Sequence, residues 1–431
     1  MTTSLERKAS SGRHKAPPGR ARGIVGRLSW GLVDQAVTSA VSFVVGIFVA
    51  RELGAAEFGG FSLAWVTYGV ILNVSRGLAT DPLTVRFSGV DRQVWRTAVA
   101  KSSGMSIMVG LVAGAFCAVV GLLLDGVVGA AFLGLAVVVP GLLLQDSWRF
   151  AFFASGQGGK ALISDLTWAA TLVPLLLLAS MRPSVGLFVI AWGGSAAVAA
   201  LVSGLQAHIL PRPSRARMWF SQQRALGLRY LFENVSLSGA YQLRMYVLGA
   251  VAGVADVGTV RGAELLLGPF YMLLTGVGLF AVPEAARVLR RSPRHLPLLC
   301  LALGGAQAAA ALAWGTLLIV ALPGAWGREL LGEVWLPASA LIVPATLAVM
   351  STSFSTGASA GLRALGMAHL SLRSQLMASA IYLTATVTGA VVDGAHGSAW
   401  GAAIATFAGA LIWWSSLRIG LKVQRTEVRT S

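Results

Sequence analysis

The sequence predicts an all-α integral membrane protein with about twelve transmembrane helices, and three observations support this prediction. Of its 431 residues, 55% are hydrophobic and 12% are charged, whereas a soluble domain carries about 25% charged residues. Apolar runs long enough to cross a bilayer recur between residues 31 and 417,. The connections between these runs are too short to hold a folded aqueous domain.

The predicted spans follow one another closely along the chain. They are roughly 28–50, 60–79, 100–124, 128–147, 162–181, 184–208, 229–251, 258–281, 296–322, 337–357, 374–392 and 398–418,. They divide the chain into a disordered basic tail, an N-terminal six-helix lobe, a linker, a C-terminal six-helix lobe and a second tail. These five regions cover residues 1–27, 28–208, 209–228, 229–418 and 419–431.

Positive charge predicts the orientation of the chain in the membrane. If the connections alternate between the two sides, 29 of the 34 Lys and Arg residues lie on the side of the N-terminus and four lie on the other side. Basic residues concentrate in cytoplasmic loops, so both termini and the linker are predicted to be cytoplasmic. The net charge of +17 is then a feature of topology. We predict no nucleic-acid partner.

Two stretches of the chain resemble each other at an offset of 199 residues. Residues 54–59 (GAAEFG) align with 253–258 (GVADVG), and at the same offset Asp34 matches Glu233. Six predicted spans separate the copies, so both copies point the same way through the membrane. This pattern favours two parallel-related lobes, an architecture of transporters. Chance similarity among Gly- and Ala-rich helices is the alternative.

The Cys and His residues give no sign of a metal or catalytic centre. Cys117 and Cys300 both lie inside apolar runs, and the five histidines form no HxxxH or HExxH pair,. We therefore predict no metal, no cofactor and no enzymatic activity.

Ionisable groups inside a span are costly and suggest function by default. In the eighth predicted span Arg261, Glu264, Gly268, Tyr271 and Thr275 recur three and four residues apart, which places them on one helical face,. Such a polar face on an apolar helix predicts the wall of a wet cavity. The alternative is an Arg–Glu pair reaching the outer surface.

The seventh span carries Arg244 and, eleven residues earlier, Glu233 on nearly the same face,. Arg244 lies about 20 Å from the cytoplasmic start of the helix at 1.5 Å per residue, too deep to reach that interface. Its planar guanidinium suits phosphate, because it can donate two hydrogen bonds at once. Snorkelling to the outer surface is the alternative.

Further candidates lie near the cytoplasmic ends of the first, second and seventh spans. Asn73 and Arg76 share one face of the second span and are predicted cavity residues,. Asp34 and Glu233, which the repeat pairs, are candidates for coupling or gating. Each acid could instead stabilise a helix N-terminus.

Several segments resemble a known family. Residues 50–59 (ARELGAAEFG), between an apolar helix and Phe61-Ser62-Leu63, resemble the first-hairpin signature of polysaccharide transporters. These are the Wzx-type lipid-linked oligosaccharide flippases of the multidrug/oligosaccharidyl-lipid/polysaccharide (MOP) exporter superfamily. Segments 152–156, 257–264 and 363–366 are similar too, and the similarity spans most of the chain from 28 to 418.

This resemblance implies a MATE-like fold of two six-helix lobes around a cavity that opens alternately to each side of a bacterial cytoplasmic membrane. It implies a flippase that moves an undecaprenyl-pyrophosphate-linked oligosaccharide to the outer leaflet for cell-surface polysaccharide biosynthesis. The implied partners are the lipid-linked glycan, the bilayer, and glycan polymerases or glycosyltransferases. Arg244, Arg261 and Arg76 would hold the pyrophosphate.

Other functions stay open at this point. A cation-coupled drug or small-molecule antiporter of the same superfamily is the first alternative, although several arginines favour an anionic ligand. A membrane glycosyltransferase or ligase is the second, and it would need acids or a His on a sizeable outer loop. A scaffold in glycan assembly is the third.

Overall fold

The structure, a computed structural model, describes residues 37–322 and 324–430, apart from the side chains of residues 233, 236, 237, 272–280, 425 and 427–430. The predicted basic tail, 1–27, and Asp34 therefore lie outside the described residues. Glu233 lies in a helix, but its side chain is not described.

The described chain is helical almost throughout, as its apolar runs predict. The helices are α1 (37–52), α2 (Ala55–Ser75), α3 (Asp81–Phe87), α4 (Arg92–Leu123), α5 (Gly126–Ala154), α6 (Gly158–Ser180), α7 (Val185–Ala207), α8 (Ala216–Val251), α9 (Val254–Leu266), α10 (Gly268–Arg291), α11 (Leu296–Ala321), α12 (Gly324–Leu331), α13 (Trp335–Ser339), α14 (Ile342–Ala364) and α15 (Ala368–Thr430).

Among the described residues, seven helices are long and apolar enough to cross a membrane, or eight if one bent pair counts as a single span. The bent pair joins 324–339 to α14 at an angle of 83°. The chain is thus a multi-pass membrane protein, and the twelve crossings and two lobes stay predictions. The polar helix α8, which carries Arg244, is not among the seven.

Several predicted spans are broken or extended. A π-helical turn, Arg76–Thr80, joins α2 to α3, and Leu267 separates α9 from α10 within the predicted span 258–281. The helix α8 begins at Ala216, so residues 216–228 of the predicted linker are its first turns. A 3-10 turn, Pro213–Arg215, precedes α8, and Pro213 stands at its first position, where a missing N–H is tolerated,.

The long helix α15 is a hairpin. It breaks at Asp393 and Gly394, whose φ angles are −150° and +49°. Its two arms, 368–392 and 395–430, run antiparallel. Near the open end Ser374 donates a hydrogen bond to Ser416 at 2.8 Å. Near the turn the backbone of Gly389 packs directly against the backbone of Gly397. The arms contain the predicted spans 374–392 and 398–418.

Helices pack in two neighbourhoods. α4, α5, α6 and α7 pack together with α2, whereas α10, α11, α14 and α15 pack together. The helices α8 and α9 join the two neighbourhoods, because both contact α2 on one side and α15 on the other.

The contact between α2 and α9 is reciprocal. A methyl group on Gly59 would overlap the carbonyl oxygen of Val254, and a methyl group on Gly258 would overlap the carbonyl oxygen of Ala55. Gly59 matches Gly258, and Ala55 matches Val254, at the offset of 199 seen in the sequence. Each copy therefore uses its glycine to receive the backbone of the other, as across a two-fold axis.

Because backbone lies opposite both glycines, neither neighbour can move aside without separating α2 from α9. We expect Gly258→Ala and Gly59→Ala each to lower the free energy of unfolding by about 1–3 kcal/mol, the usual cost of overpacking. Thermal unfolding of the purified protein in detergent would measure this. Gly194→Ala in α7 is the control, since nothing lies within 4 Å of its added methyl. Equal melting temperatures for all three variants would contradict the close contact between α2 and α9.

Candidate functional site

A cluster of charged and hydroxyl groups lies where α8, α9 and the α15 hairpin meet. Arg244 on α8 is buried, with 5% of its surface exposed. Its Nε donates to Ser398 Oγ at 3.0 Å, and its Nη1 donates to the Tyr382 hydroxyl at 2.8 Å. Ser398 and Tyr382 belong to different arms of the hairpin, so one guanidinium binds both arms. The predicted snorkelling alternative does not describe this buried position.

Glu264 on α9 accepts contacts from three directions. The Tyr241 hydroxyl donates to Oε2 at 2.6 Å, Arg261 Nη1 donates to the same oxygen at 3.3 Å, and Arg244 Nη1 lies 3.7 Å from Oε1. Arg261 also donates to the Tyr241 hydroxyl at 3.4 Å. The structure thus brings the predicted residues Arg244, Arg261 and Glu264 into one network. We call these three residues with Tyr241 the central cluster.

Arg261 extends this cluster to α2. Its guanidinium carbon lies 5.8 Å from the centre of the Trp65 ring, a distance suited to a cation–π contact,. Trp65 in turn stacks on Trp192 of α7 with ring centres 4.7 Å apart. The Arg261 guanidinium therefore lies between the Glu264 carboxylate on its own helix and the stacked rings of α2 and α7.

Two cavities border the central cluster. The larger, 460 Å³, is lined by Thr38, Ser39, Ser42, Phe43, Tyr241, Arg261, Glu264, Leu265, Gly268 and Tyr271. The smaller, 110 Å³, shares Tyr241, Glu264 and Tyr271 with it and adds Arg244, Tyr382 and Thr352. A third cavity of 240 Å³ continues from Tyr241 and Tyr382 between α14 and the hairpin. The predicted polar face of the eighth span thus lines open space at Arg261, Glu264, Gly268 and Tyr271.

Arg76 takes part in a different network. Its Nε and Nη2 donate to the two carboxylate oxygens of Asp146 on α5, at 3.1 and 2.7 Å, and its guanidinium lies 5.0 Å from the Phe150 ring centre. It is not among the residues that line the three cavities described above. The fork geometry that suits phosphate is used here for a carboxylate.

A second buried acid completes this network. Asp165 on α6 lies 3.1 Å from Arg149 Nε and accepts hydrogen bonds from Gln145 at 2.8 Å and Thr38 at 2.7 Å. Arg149 Nη1 also lies 3.8 Å from Asp146. We call Arg76, Asp146, Arg149 and Asp165 the four-charge network. Thr38 lines the 460 Å³ cavity, so this network reaches its edge.

Asn73 joins two helices, and within the part of the chain that the structure describes it forms no hydrogen bond to either network. It donates to Ser238 of α8 at 2.8 Å. One turn earlier in α8, Asn234 donates a hydrogen bond to Asp81, at the start of α3, at 2.9 Å. The predicted cavity residue Asn73 therefore lies at the contact between α2 and α8. Asp34 and the Glu233 side chain lie outside the described residues.

Charge balance separates the two groups. The four-charge network contains two arginines and two aspartates and is neutral. The central cluster contains two arginines and one glutamate, so among the described side chains it carries one surplus positive charge. Arg244 is buried there, and Arg261 and Glu264 are partly exposed to the cavity.

Several partners of these charged groups were not predicted from the sequence. Asp165 lies inside the predicted span 162–181, so the rule that singled out Arg244 applies equally to it,. Tyr241 lies one helical turn before Arg244, which was a usable signal. Tyr382 and Ser398 follow Arg244 by 138 and 154 residues, and no local pattern marks them.

Comparison with solved structures places this arrangement in a known fold. The chain superposes on a multidrug resistance MATE family transporter of the MOP superfamily in an inward-facing conformation, with a TM-score of 0.67, 14% identity, and coverage of 91% of this chain and 96% of the other. It superposes equally well on the lipid II flippase MurJ in an inward closed conformation, with a TM-score of 0.66, 12% identity, and coverage of 90% and 87%. This is the fold of MOP-superfamily transporters.

An outward-facing MATE family transporter of the same superfamily matches less closely, with a TM-score of 0.55, 14% identity, and coverage of 94% and 96%. No protein-family model and no curated protein matches the sequence. The similarity therefore establishes the fold, and the function rests on the site.

The four-charge network should contribute to stability. Asp165 and Arg149 are both almost fully buried, so Asp165→Asn or Arg149→Gln removes one charge from a balanced network and leaves a net charge in buried surroundings. We expect either change to lower the free energy of unfolding by about 3–5 kcal/mol. Arg287→Gln is the control, because its pair with Glu284 is exposed and should matter little. Thermal unfolding in detergent distinguishes them, and a control that melts as early as Asp165→Asn would contradict the assignment.

Proposed function

We propose that the protein is a flippase that moves a lipid-linked oligosaccharide, carried on undecaprenyl pyrophosphate, from the cytoplasmic to the outer leaflet of a bacterial membrane. The observation that carries the proposal is the surplus positive charge of the central cluster beside a 460 Å³ cavity. A diphosphate offers two negative groups to Arg244 and Arg261, whereas Glu264 offers one.

The mechanism follows from what Glu264 does without a ligand. It satisfies part of the charge of both arginines, so the cluster can exist inside the membrane while empty,. An arriving diphosphate would compete with this carboxylate for the guanidinium groups and form charge-assisted, two-pronged hydrogen bonds. When the cavity opens to the other side and the ligand leaves, Glu264 regains both arginines. The carboxylate thus limits how tightly the cargo is held.

The aromatic and hydroxyl groups of the site fit the remaining part of such a cargo. Tyr241 and Tyr271 line the same cavity as the two charged residues of α9, and Ser39 and Ser42 face it from α1. Sugars bind to surfaces that combine hydroxyl groups with aromatic rings, because each ring covers a C–H face. The structural similarity of this chain to the lipid II flippase MurJ supports a head group of this type.

A cation-coupled antiporter is the second candidate, and one observation favours it. Glu264 is an acid in the wall of the cavity, flanked by tyrosines, and it could hold a proton or a cationic drug. The fold agrees equally with this function, since the MATE transporter matches as well as MurJ does. The two arginines that share Glu264 disfavour the antiporter, because a cation bound at Glu264 would be repelled by the net positive charge of the central cluster.

Reconstituted vesicles would test the proposal directly. We expect the wild type to move a fluorescent lipid-linked oligosaccharide to the far leaflet, and Arg244→Ala and Arg261→Ala each to reduce the rate by roughly 10- to 100-fold, the loss of a charge-assisted hydrogen bond. Arg244→Lys should be intermediate, since it keeps the charge and loses the fork.

The control is Arg182→Ala, an exposed arginine between α6 and α7, which should flip at the rate of the wild type. A cationic dye in parallel vesicles addresses the second candidate. Dye transport without lipid flipping would reject the flippase, and unchanged flipping in both alanine variants would reject the central cluster as its site.

A further inference from the structure

A separate cavity of 510 Å³ lies outside the central cluster. It is formed by the first turns of α4 and the segment that follows α7. Its lining residues are Gln93, Arg96, Thr97, Ala100, His208, Ile209, Leu210, Pro211 and Arg212. None of these residues lines the cavities around Tyr241. The proposed transport function leaves this cavity without a role.

The walls of this cavity are held in place without a ligand. Arg96 donates to the carbonyl oxygens of Ala207 and His208 at the end of α7. His208 adopts a left-handed conformation, with φ of 51°, that turns the chain out of the helix. The backbone N–H of Arg212 then donates to Ala100 of α4 at 2.8 Å, which closes the segment back onto that helix. The cavity is therefore preformed.

The cavity is positively charged. Two guanidinium groups, those of Arg96 and Arg212, line it, and its lining includes no Asp or Glu. Arg96 offsets the partial negative charge at the end of α7, which is about half a unit. Arg212 forms no side-chain hydrogen bond or ion pair with the described residues, so none of them neutralises its charge.

One side of the cavity continues into an apolar surface. Leu210, which belongs to the lining, is 84% exposed. Leu205 and Leu201 on α7 are 73% and 67% exposed and lie four residues apart, on one face of the helix,. The Leu205 carbonyl accepts a hydrogen bond from His208 at 3.2 Å, so this face ends at the cavity. In a membrane-spanning helix, such leucines face acyl chains.

We infer that this cavity binds the head group of an anionic phospholipid whose acyl chains lie along Leu201 and Leu205. A phosphodiester matches the two guanidinium groups, and Gln93 and Thr97 offer further polar contacts to the glycerol part,. A zwitterionic head group would add a cation beside Arg212, which is unfavourable. Because these arginines belong to the basic side of the chain, the lipid lies in the leaflet on the predicted cytoplasmic side.

Native mass spectrometry of the full-length protein would test this inference. The probes are phosphatidylglycerol and phosphatidylcholine with identical acyl chains, titrated into protein that has been stripped of lipid in detergent. We expect phosphatidylglycerol to bind more tightly, and Arg212→Gln to weaken it about fivefold, the usual contribution of one basic residue near a membrane surface. Arg96→Gln should weaken it at least as much.

Arg212→Gln is the decisive variant, because its side chain makes no hydrogen bond or ion pair to any residue that the structure describes, whereas Arg96 also holds the end of α7. The control is Arg217→Gln combined with Arg224→Gln, which removes two exposed charges of the same side outside the cavity. This control variant should bind phosphatidylglycerol with the affinity of the wild type.

Three outcomes would overturn the inference: equal binding of the two lipids, unchanged binding in Arg212→Gln, or an equal loss in the control. A fourth concerns the acyl chains. If glycerol 1-phosphate displaces the lipid at a concentration similar to that of the lipid itself, the cavity binds a free anion and not a phospholipid. Flipping by Arg212→Gln is expected to persist, so this test is independent of the central cluster.

Discussion

The constraint on which this structure depends is that charge buried within a membrane must be shared. Glu264 contacts Arg244, Arg261 and Tyr241 at once, and through these partners it connects α8 with α9 and, by way of Arg244, with the α15 hairpin. An isolated guanidinium or carboxylate in apolar surroundings costs several kcal/mol. Helices that carry such groups are therefore stable only where their partners meet.

The same constraint yields two different outcomes in one molecule. Asp146 and Asp165 balance the charges of Arg76 and Arg149, so that network holds the π-helical turn after α2 to α5 and α6 and carries no surplus positive charge among its four members. The central cluster has one carboxylate for two guanidiniums among the described side chains, which is why it is the proposed site for an anion. The two groups thus differ by one acidic residue.

The sequence predicted the helices well because hydrophobicity over some twenty residues is a strong signal. It also identified Arg244, Arg261 and Glu264, since a charge in an apolar run is conspicuous. It could not assign the role of Arg76, because that role depends on Asp146, seventy residues away. The break at Leu267 was not predicted, although Gly268-Pro269 directly follows it and such a dipeptide marks a helix boundary,.

The turn of the α15 hairpin is attached to a distant helix by a single acid. Asp256, in the first turn of α9, accepts the backbone N–H of Ala395 at 3.1 Å, immediately after the break. Since α9 also contacts α2 through the paired glycines, a tilt of α9 would pull the tip of the hairpin with it. Such a linkage would couple the hairpin to the relative position of α2 and α9 whether or not the cavity holds a ligand.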